Sequence, residues 1–296
     1  MEERILEKVE ELSDEMIKTI IEMVKIDSVE AEAEPDAPFG RGVKTALDAA
    51  LLLADRMGFQ TVNVDNYMGY ASYGEEGGDG YICAVGHLDV VPTGTGWKQP
   101  PFSGYVKDGT IYSRGILDNK GPIFSCLYAL YAIKELGISL KRQVRILFGC
   151  DEETGFEDLK YYLSKEKPPV MGFTPDCKYP VVYAERGRAL IEIRPESLSD
   201  FCRLMNDYVL NAKNNGERFH IDFRDEEFGQ LEVRNFKILQ EEIPALQFAV
   251  SYPAGCTAEQ IIETIKRELP DMRAELVSNM NPVRFEKDCR LVDTLK

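Results

Sequence analysis

Val85-Gly86-His87-Leu88-Asp89-Val90-Val91-Pro92 sets a histidine and a carboxylate two residues apart where an apolar run ends. Tyr81-Ile82-Cys83-Ala84-Val85 reads as a buried strand, and Gly86 lets the chain leave it tightly. In extended geometry His87 and Asp89 point to the same side. A carboxylate that holds one imidazole nitrogen while the other binds a metal is the usual outer-shell arrangement at a catalytic metal. A His-x-Asp pair alone fits a structural hydrogen bond equally well. The chain has only 2 histidines, so the use of one here is informative.

Four further carboxylates fall in telling places. Asp118 lies just before a predicted helix in Ser113-Arg114-Gly115-Ile116-Leu117-Asp118-Asn119-Lys120-Gly121. Glu152 and Glu153 follow the apolar strand Val144 to Phe148 in Cys150-Asp151-Glu152-Glu153-Thr154-Gly155, and Asp176 closes Phe173-Thr174-Pro175-Asp176 before an expected strand at Pro180 to Tyr183. In open α/β sheets ligands gather outside the carboxyl ends of the strands, so these groups are expected to converge beside His87. Carboxylates crowded into one dry cleft raise one another's pKa unless a cation balances them. A divalent metal, or a pair, is the natural balance, and one imidazole with several carboxylates suits zinc, cobalt or manganese. Read alone, Asp151-Glu152-Glu153 is equally a solvated helix start, because acids favour the first turn.

Positioning these groups requires an α/β framework. Ile5, Val9, Leu12, Met16, Ile20 and Met23 recur at helical spacing, and a second helix is expected over Lys44 to Met57. Short strands at Gln60 to Val64 and Tyr70 to Tyr73 precede a Gly-rich turn at Gly74 to Gly80. A hairpin is expected around Asp108-Gly109, then a helix Gly121 to Leu136 leading into the Val144 strand. This alternation argues for a largely parallel sheet. Beyond Arg188 the pattern becomes strand (Leu190 to Ile193), helix (Leu198 to Ala212), strands at Phe219 to Phe223, Leu231 to Ile238 and Ala245 to Ser251, helix (Thr257 to Leu269) and strand (Arg273 to Val277). That order suits a small α+β sandwich of ferredoxin-like type.

At 296 residues the chain suggests two domains, and 44% hydrophobic residues are ample for globular cores. A net charge of −16 argues against nucleic acid or an anionic membrane as partner. No apolar run approaches a membrane span, and Met1-Glu2-Glu3-Arg4 opens on charge rather than on a signal sequence. Seven scattered cysteines with no C-x-x-C pair favour reduced thiols, hence a cytoplasmic location.

Together His87-x-Asp89, Gly115-x-x-Asp118-Asn119-Lys120-Gly121, Asp151-Glu152-Glu153-x-Gly155 and Thr174-Pro175-Asp176 resemble the co-catalytic zinc metallopeptidases that include aminoacylase, carboxypeptidase G and succinyl-diaminopimelate desuccinylase. With Tyr183-Ala184-Glu185-Arg186-Gly187, the chain is most similar to the PepV-type and Xaa-His dipeptidases. The resemblance implies a zinc-peptidase-like mixed sheet flanked by helices (residues 1–187), a lid domain (188–280) and the start of a return to the catalytic domain (281–296). It implies metal-dependent hydrolysis of dipeptides or short peptides by metal-activated water. His87, Asp118 and Asp176 would hold one metal, Asp118 would bridge to a second that Glu153 also binds, Glu152 would be the general base, and Asp89 would orient His87. One or two zinc ions are implied, with manganese or cobalt as alternatives. The peptide bond after the bridging aspartate is often cis in this family, which makes Asp118-Asn119 a candidate. A homodimer through the lid is a candidate assembly.

Two departures accompany the resemblance. The family's second metal takes its last ligand from a histidine far toward the C-terminus, whereas this chain runs to Lys296 and its only other histidine is His220. Strand alternation over Phe219, Ile221 and Phe223 would turn His220 to the surface. The lid also lacks the family's Gly-x-x-Ala-His segment. Three readings follow: a dipeptidase, a shortened homologue with weak or no turnover that binds one metal or a peptide, and a piece of a longer enzyme.

Overall fold

The computed structural model describes residues 1–75, 77 and 80–295. The chain forms two compact units, Met1–Cys177 and Lys178–Lys296. Glu76, Gly78 and Asp79 of the expected Gly-rich turn lie outside the described residues.

In the first unit the elements run α1 (Glu2–Val24), α2 (Arg41–Arg56), β1 (Gln60–Val64), β2 (Met68–Tyr73), β3 (Ile82–His87), β4 (Tyr105–Lys107), β5 (Thr110–Tyr112), α3 (Lys120–Glu135), β6 (Val144–Gly149), α4 (Glu157–Lys165) and β7 (Met171–Phe173). The main sheet has the order β1-β2-β6-β3-β7. β3 runs parallel to both β6 and β7, while β2 is antiparallel to β1 and β6. The sheet is therefore mixed rather than largely parallel. The reason is local: β1 and β2 are joined by a tight turn with Asp65 and Asn66 at positive φ, which leaves only an antiparallel pairing.

Alternation along β6 separates two cores. Ile146 and Phe148 pack with Val24, Leu47, Ala50, Ile123, Phe124 and Leu127 from the three long helices. Leu147 packs on the other face with Met68, Tyr70, Tyr81, Cys83 and Tyr162. That second face also buries Arg145, whose guanidinium lies 4.3 Å from the Tyr70 ring centroid and 4.0 Å from that of Tyr81. Its nitrogens donate to Gln143 Oε1 at 2.8 Å, the Tyr162 hydroxyl at 3.0 Å and Glu166 at 2.9 Å. The aromatic faces and the carboxylate together offset the desolvation of this charge.

In the second unit come β8 (Ala184–Glu185), β9 (Gly187–Arg194), α5 (Leu198–Leu204), β10 (Arg224–Asp225), β11 (Gly229–Gln230), β12 (Glu232–Leu239), β13 (Ala245–Tyr252), α6 (Ala258–Glu268), β14 (Arg273–Met280), β15 (Val283–Arg284) and α7 (Arg290–Leu295). The antiparallel sheet β12-β13-β9-β14 with α5 and α6 has the ferredoxin-like order. Thr257 and Gln260 form a capping box that starts α6. Residues 184–185 pair antiparallel with 283–284.

Several local expectations change. Pro180 to Tyr183 is not a strand; Pro180 has no N–H to give a ladder. The helix from Leu198 ends at Leu204 and continues as a π-helical turn over Met205–Val209. Phe219 belongs to a 3₁₀ turn, Glu217–Phe219, and His220 follows at φ 55. Phe219 and Ile221 are nevertheless buried and His220 exposed, because the turn directs both apolar side chains inward. Among the described residues no helix is long and apolar enough to cross a membrane.

Glu166→Ala leaves Arg145 without this carboxylate in a buried site and should destabilise the first unit by about 2–3 kcal/mol. Denaturant unfolding followed by fluorescence of Trp97, the chain's 1 tryptophan, measures it. An unchanged midpoint would show that the remaining partners of Arg145 suffice without Glu166.

Candidate metal centre

Because β3, β6 and β7 are parallel, their carboxyl ends open on the same side of the sheet. His87 is the last residue of β3 and pairs in register with Gly149, the last of β6. The Leu88 N–H donates to the Gly149 carbonyl at 2.9 Å, so the segments carrying His87 and Glu152 leave the sheet together. Asp176 follows β7 by three residues, and Asp118 arrives from the start of α3. His87, Asp118, Glu152, Glu153 and Asp176 all meet in the first unit. Among the described residues, two groups present one ligand atom each within 4.8 Å of one another: His87, Glu152 and Asp176, and His87, Asp118 and Glu153.

His87 and Asp89 are buried, their side chains only 3% and 2% exposed. His87 Nδ1 lies 2.9 Å from the Asp89 backbone carbonyl, which takes the Nδ1–H and leaves Nε2 facing the acids. Nε2 is 2.9 Å from Asp118, 3.4 Å from Asp176 and 3.9 Å from Glu152. The Asp89 carboxylate is 3.4 Å from Nδ1 through Oδ1, while its Oδ2 accepts the Glu153 backbone N–H at 3.0 Å. Asp89 thus holds the imidazole chiefly through its carbonyl and the Glu153 segment through its carboxylate.

The acidic turn is fixed from beneath. Asp158 Oδ2 accepts the backbone N–H groups of Cys150 at 2.6 Å and Asp151 at 3.2 Å, and Asp151 accepts the Glu157 N–H at the start of α4 at 2.8 Å. Thr154 Oγ1 bonds both Asp151 and Glu30. Asp151 therefore serves a helix start while Glu152 and Glu153 turn toward His87. A cavity of about 500 Å³ opens beside the cluster, with Glu30, Asp89, Val90, Glu153 and Thr154 in its wall.

Electrostatically the cluster is acid-rich. Burial opposes a charged His87, yet Asp118, Asp176 and Asp89 outweigh it and push its pKa up to about 12. Burial, with Asp176, Glu153 and Asp89, raises Glu152 to about 7 against the pull of His87. Burial and Asp118 raise Glu153, while the bond to His87 lowers Asp118. Among the described residues, the buried oxygen Asp89 Oδ1 has no hydrogen-bond partner. One imidazole nitrogen facing several oxygen donors fits a divalent cation, which takes the place of the Nε2 proton.

The Asp118-Asn119 peptide bond is cis. Asn119, inside the Gly115-to-Gly121 motif, has a structural task that its residue type does not announce. It is fully buried, and its amide contacts both the His87 backbone and the Pro175 carbonyl. A polar residue at a helix start next to a ligand was the available signal, and its sequence position suggests only a cap. His220 lies in the second unit, 3.5 Å from Glu268, with its side chain 70% exposed.

The sequence profile of peptidase family M20/M25/M40 matches residues 83–296, and the chain belongs to this family. It is 40% identical over 176 residues to the "Putative dipeptidase YtjP" of Bacillus subtilis (strain 168), covering 59% of this chain and 38% of that protein. The chain spans less than half the length of the curated relatives it matches, at 38% and 46% for two of them. Among solved structures it is similar to human carnosine dipeptidase 1, with TM-score 0.70 and 17% identity over 98% of this chain and 83% of that one. It is also similar to Bacillus subtilis YXEP, described as a dinuclear metal binding peptidase, with TM-score 0.52 and 14% identity over 92% and 75% of the respective chains. These likenesses show the fold, a mixed sheet flanked by helices with a small lid.

One prediction concerns the turn that aims the acids. Burial raises Asp158 from its ordinary 3.8 to about 6, despite the backbone N–H groups it accepts. A carboxyl raised in the folded state stabilises fully below its unfolded pKa and loses that contribution as pH climbs through the folded value. Wild type should therefore lose on the order of 3 kcal/mol between roughly pH 4 and 6 relative to Asp158→Asn. Paired unfolding curves across that range test this; parallel pH profiles for the two proteins would contradict it.

Proposed function

We propose that this chain carries the metal centre of a dipeptidase and that its reaction is metal-dependent hydrolysis of a dipeptide or short peptide. The observation that carries this reading is the convergence of His87 with Asp118, Glu152, Glu153 and Asp176 at the carboxyl ends of parallel strands. The family, the dipeptidase names of relatives and the dinuclear description of YXEP support it.

In this reading His87, Asp118 and Asp176 would hold one metal, and Asp118 and Glu153 would hold a second. The metal, when bound, supplies Lewis-acid activation of water and of the peptide carbonyl. Zinc is the favoured ion, with manganese and cobalt alternatives, because the donors are one imidazole and otherwise oxygens. Glu152 is the general base: its carboxylate takes a proton from the attacking water and returns it to the leaving amine. Asp89 keeps the His87 ring in the tautomer that presents Nε2. Residues 1–187 serve as the catalytic portion, 188–280 as its lid and 281–296 as the start of a return. The 7 free cysteines support a reducing, cytoplasmic setting.

One observation favours a second reading, a chain that holds a single metal or a peptide with little turnover. Both ligand groups share His87, and one Nε2 serves one ion.

Metal analysis separates the two: two ions per chain support the co-catalytic centre, one supports the second reading, and none overturns the metal centre. Glu152→Gln should retain the metal while reducing kcat by about 10²–10⁴-fold. Turnover that survives this substitution unchanged would remove Glu152 from the role of base.

A further inference from the structure

We propose that Asn119 is the positioning residue that sets the spacing of the His87, Asp118 and Asp176 donors, an inference that rests on the metal-centre reading above. Asn119 is fully buried and stands at the N-cap of α3, yet its side chain makes no cap hydrogen bond. An asparagine at that position ordinarily accepts a backbone N–H from the first turn of its own helix. Here the amide is turned away to join two other segments. Its Oδ1 accepts the His87 backbone N–H at 3.3 Å, and its Nδ2 donates to the Pro175 carbonyl at 3.3 Å.

These two contacts fix the orientation of the amide, because only the oxygen can take an N–H and only the nitrogen can donate to a carbonyl. One side chain thereby joins the end of β3, which carries His87, to the loop that carries Asp176. Its own backbone is the direct continuation of Asp118. Each bond is at the long end of the usual range and modest alone. Their effect is geometric, since three donor-bearing segments are held against carboxylates that repel one another.

The fold reserves room for the clamp. A Cβ on Gly86 would fall 2.2 Å from Asn119 Oδ1 and 2.8 Å from Ile123 Cβ, so a side chain there would displace the amide. Gly86 sits at negative φ, outside the positive-φ set, so the demand for glycine is one of space.

The test uses the metal-free chain with Asn119→Ala and Asn119→Asp. The aspartate keeps an acceptor for the His87 N–H but sets a carboxylate oxygen against the Pro175 carbonyl. Zn²⁺ affinity is measured by calorimetry well below the melting temperature, with thermal unfolding followed in parallel. Loss of an outer-shell partner typically weakens metal binding about 10–100-fold, the effect expected for Asn119→Ala, with Asn119→Asp intermediate. NMR of histidine-labelled protein adds a readout independent of metal, because the chain has only 2 histidines. The His87 amide signal should move in both variants while that of His220 stays in place. Wild-type zinc affinity in both folded variants overturns the proposal, as does an affinity loss confined to temperatures where the variant unfolds. If wild type takes up no Zn²⁺ or Mn²⁺, the functional reading fails by itself. The NMR arm then decides whether Asn119 holds His87, and an unmoved His87 signal overturns it.

Discussion

The mutual repulsion of carboxylates around one buried imidazole is the constraint that organises the first unit. Asp118, Glu152, Glu153 and Asp176 compete for a small volume on the Nε2 side of His87, and in a partly dry cleft their charges interact more strongly than in water. Left to themselves they would separate or take up protons; burial first, and the neighbouring carboxylates after it, push Glu152 and Glu153 upward. Only a rigid support keeps them near one another until a cation arrives. The strongly raised pKa of His87 expresses the same fact from the other side: the cluster demands positive charge at Nε2.

That support is built largely from backbone groups. Parallel strands present their carboxyl ends together, and the in-register pair His87 and Gly149 sends two donor-bearing segments off the sheet at the same level. Asp89 then serves twice, its carbonyl fixing the imidazole and its carboxylate fixing the Glu153 amide. Asp158 and Asp151 secure the turn between β6 and α4 by accepting three more backbone N–H groups. Each bond satisfies a donor that would otherwise be orphaned in a tight turn, so stability of the scaffold and aim of the acids follow from the same contacts. On the Leu147 face of the sheet, Arg145 is buried among tyrosines and Glu166, a second ionic group held by aromatic faces and hydrogen-bond acceptors together.

The second unit shows where pattern reading succeeds and where it slips. Long amphipathic or alternating stretches such as β9, β13 and α6 were visible because burial on one face imposes a period. The region around His220 misled because Phe219 and Ile221 alternate with polar residues, as a strand would, yet reach the core from a turn. Two buried side chains two residues apart constrain which way they point; they do not dictate an extended backbone between them.

Residue types and their order along the chain already carry the donor set and its kinship, because the chemistry needs particular side chains next to apolar strands and glycines. Periodicity also announces two units and most of their elements. Tertiary structure decided which donors share a volume, that the carbonyl of Asp89 rather than its carboxylate makes the shorter bond to His87, and that Asn119 spans two other segments instead of capping its helix. It also decided the mixed character of the sheet. The grouping of the donors and the reach of Asn119 depend on hydrogen bonds between residues about thirty to sixty positions apart, which no local period encodes.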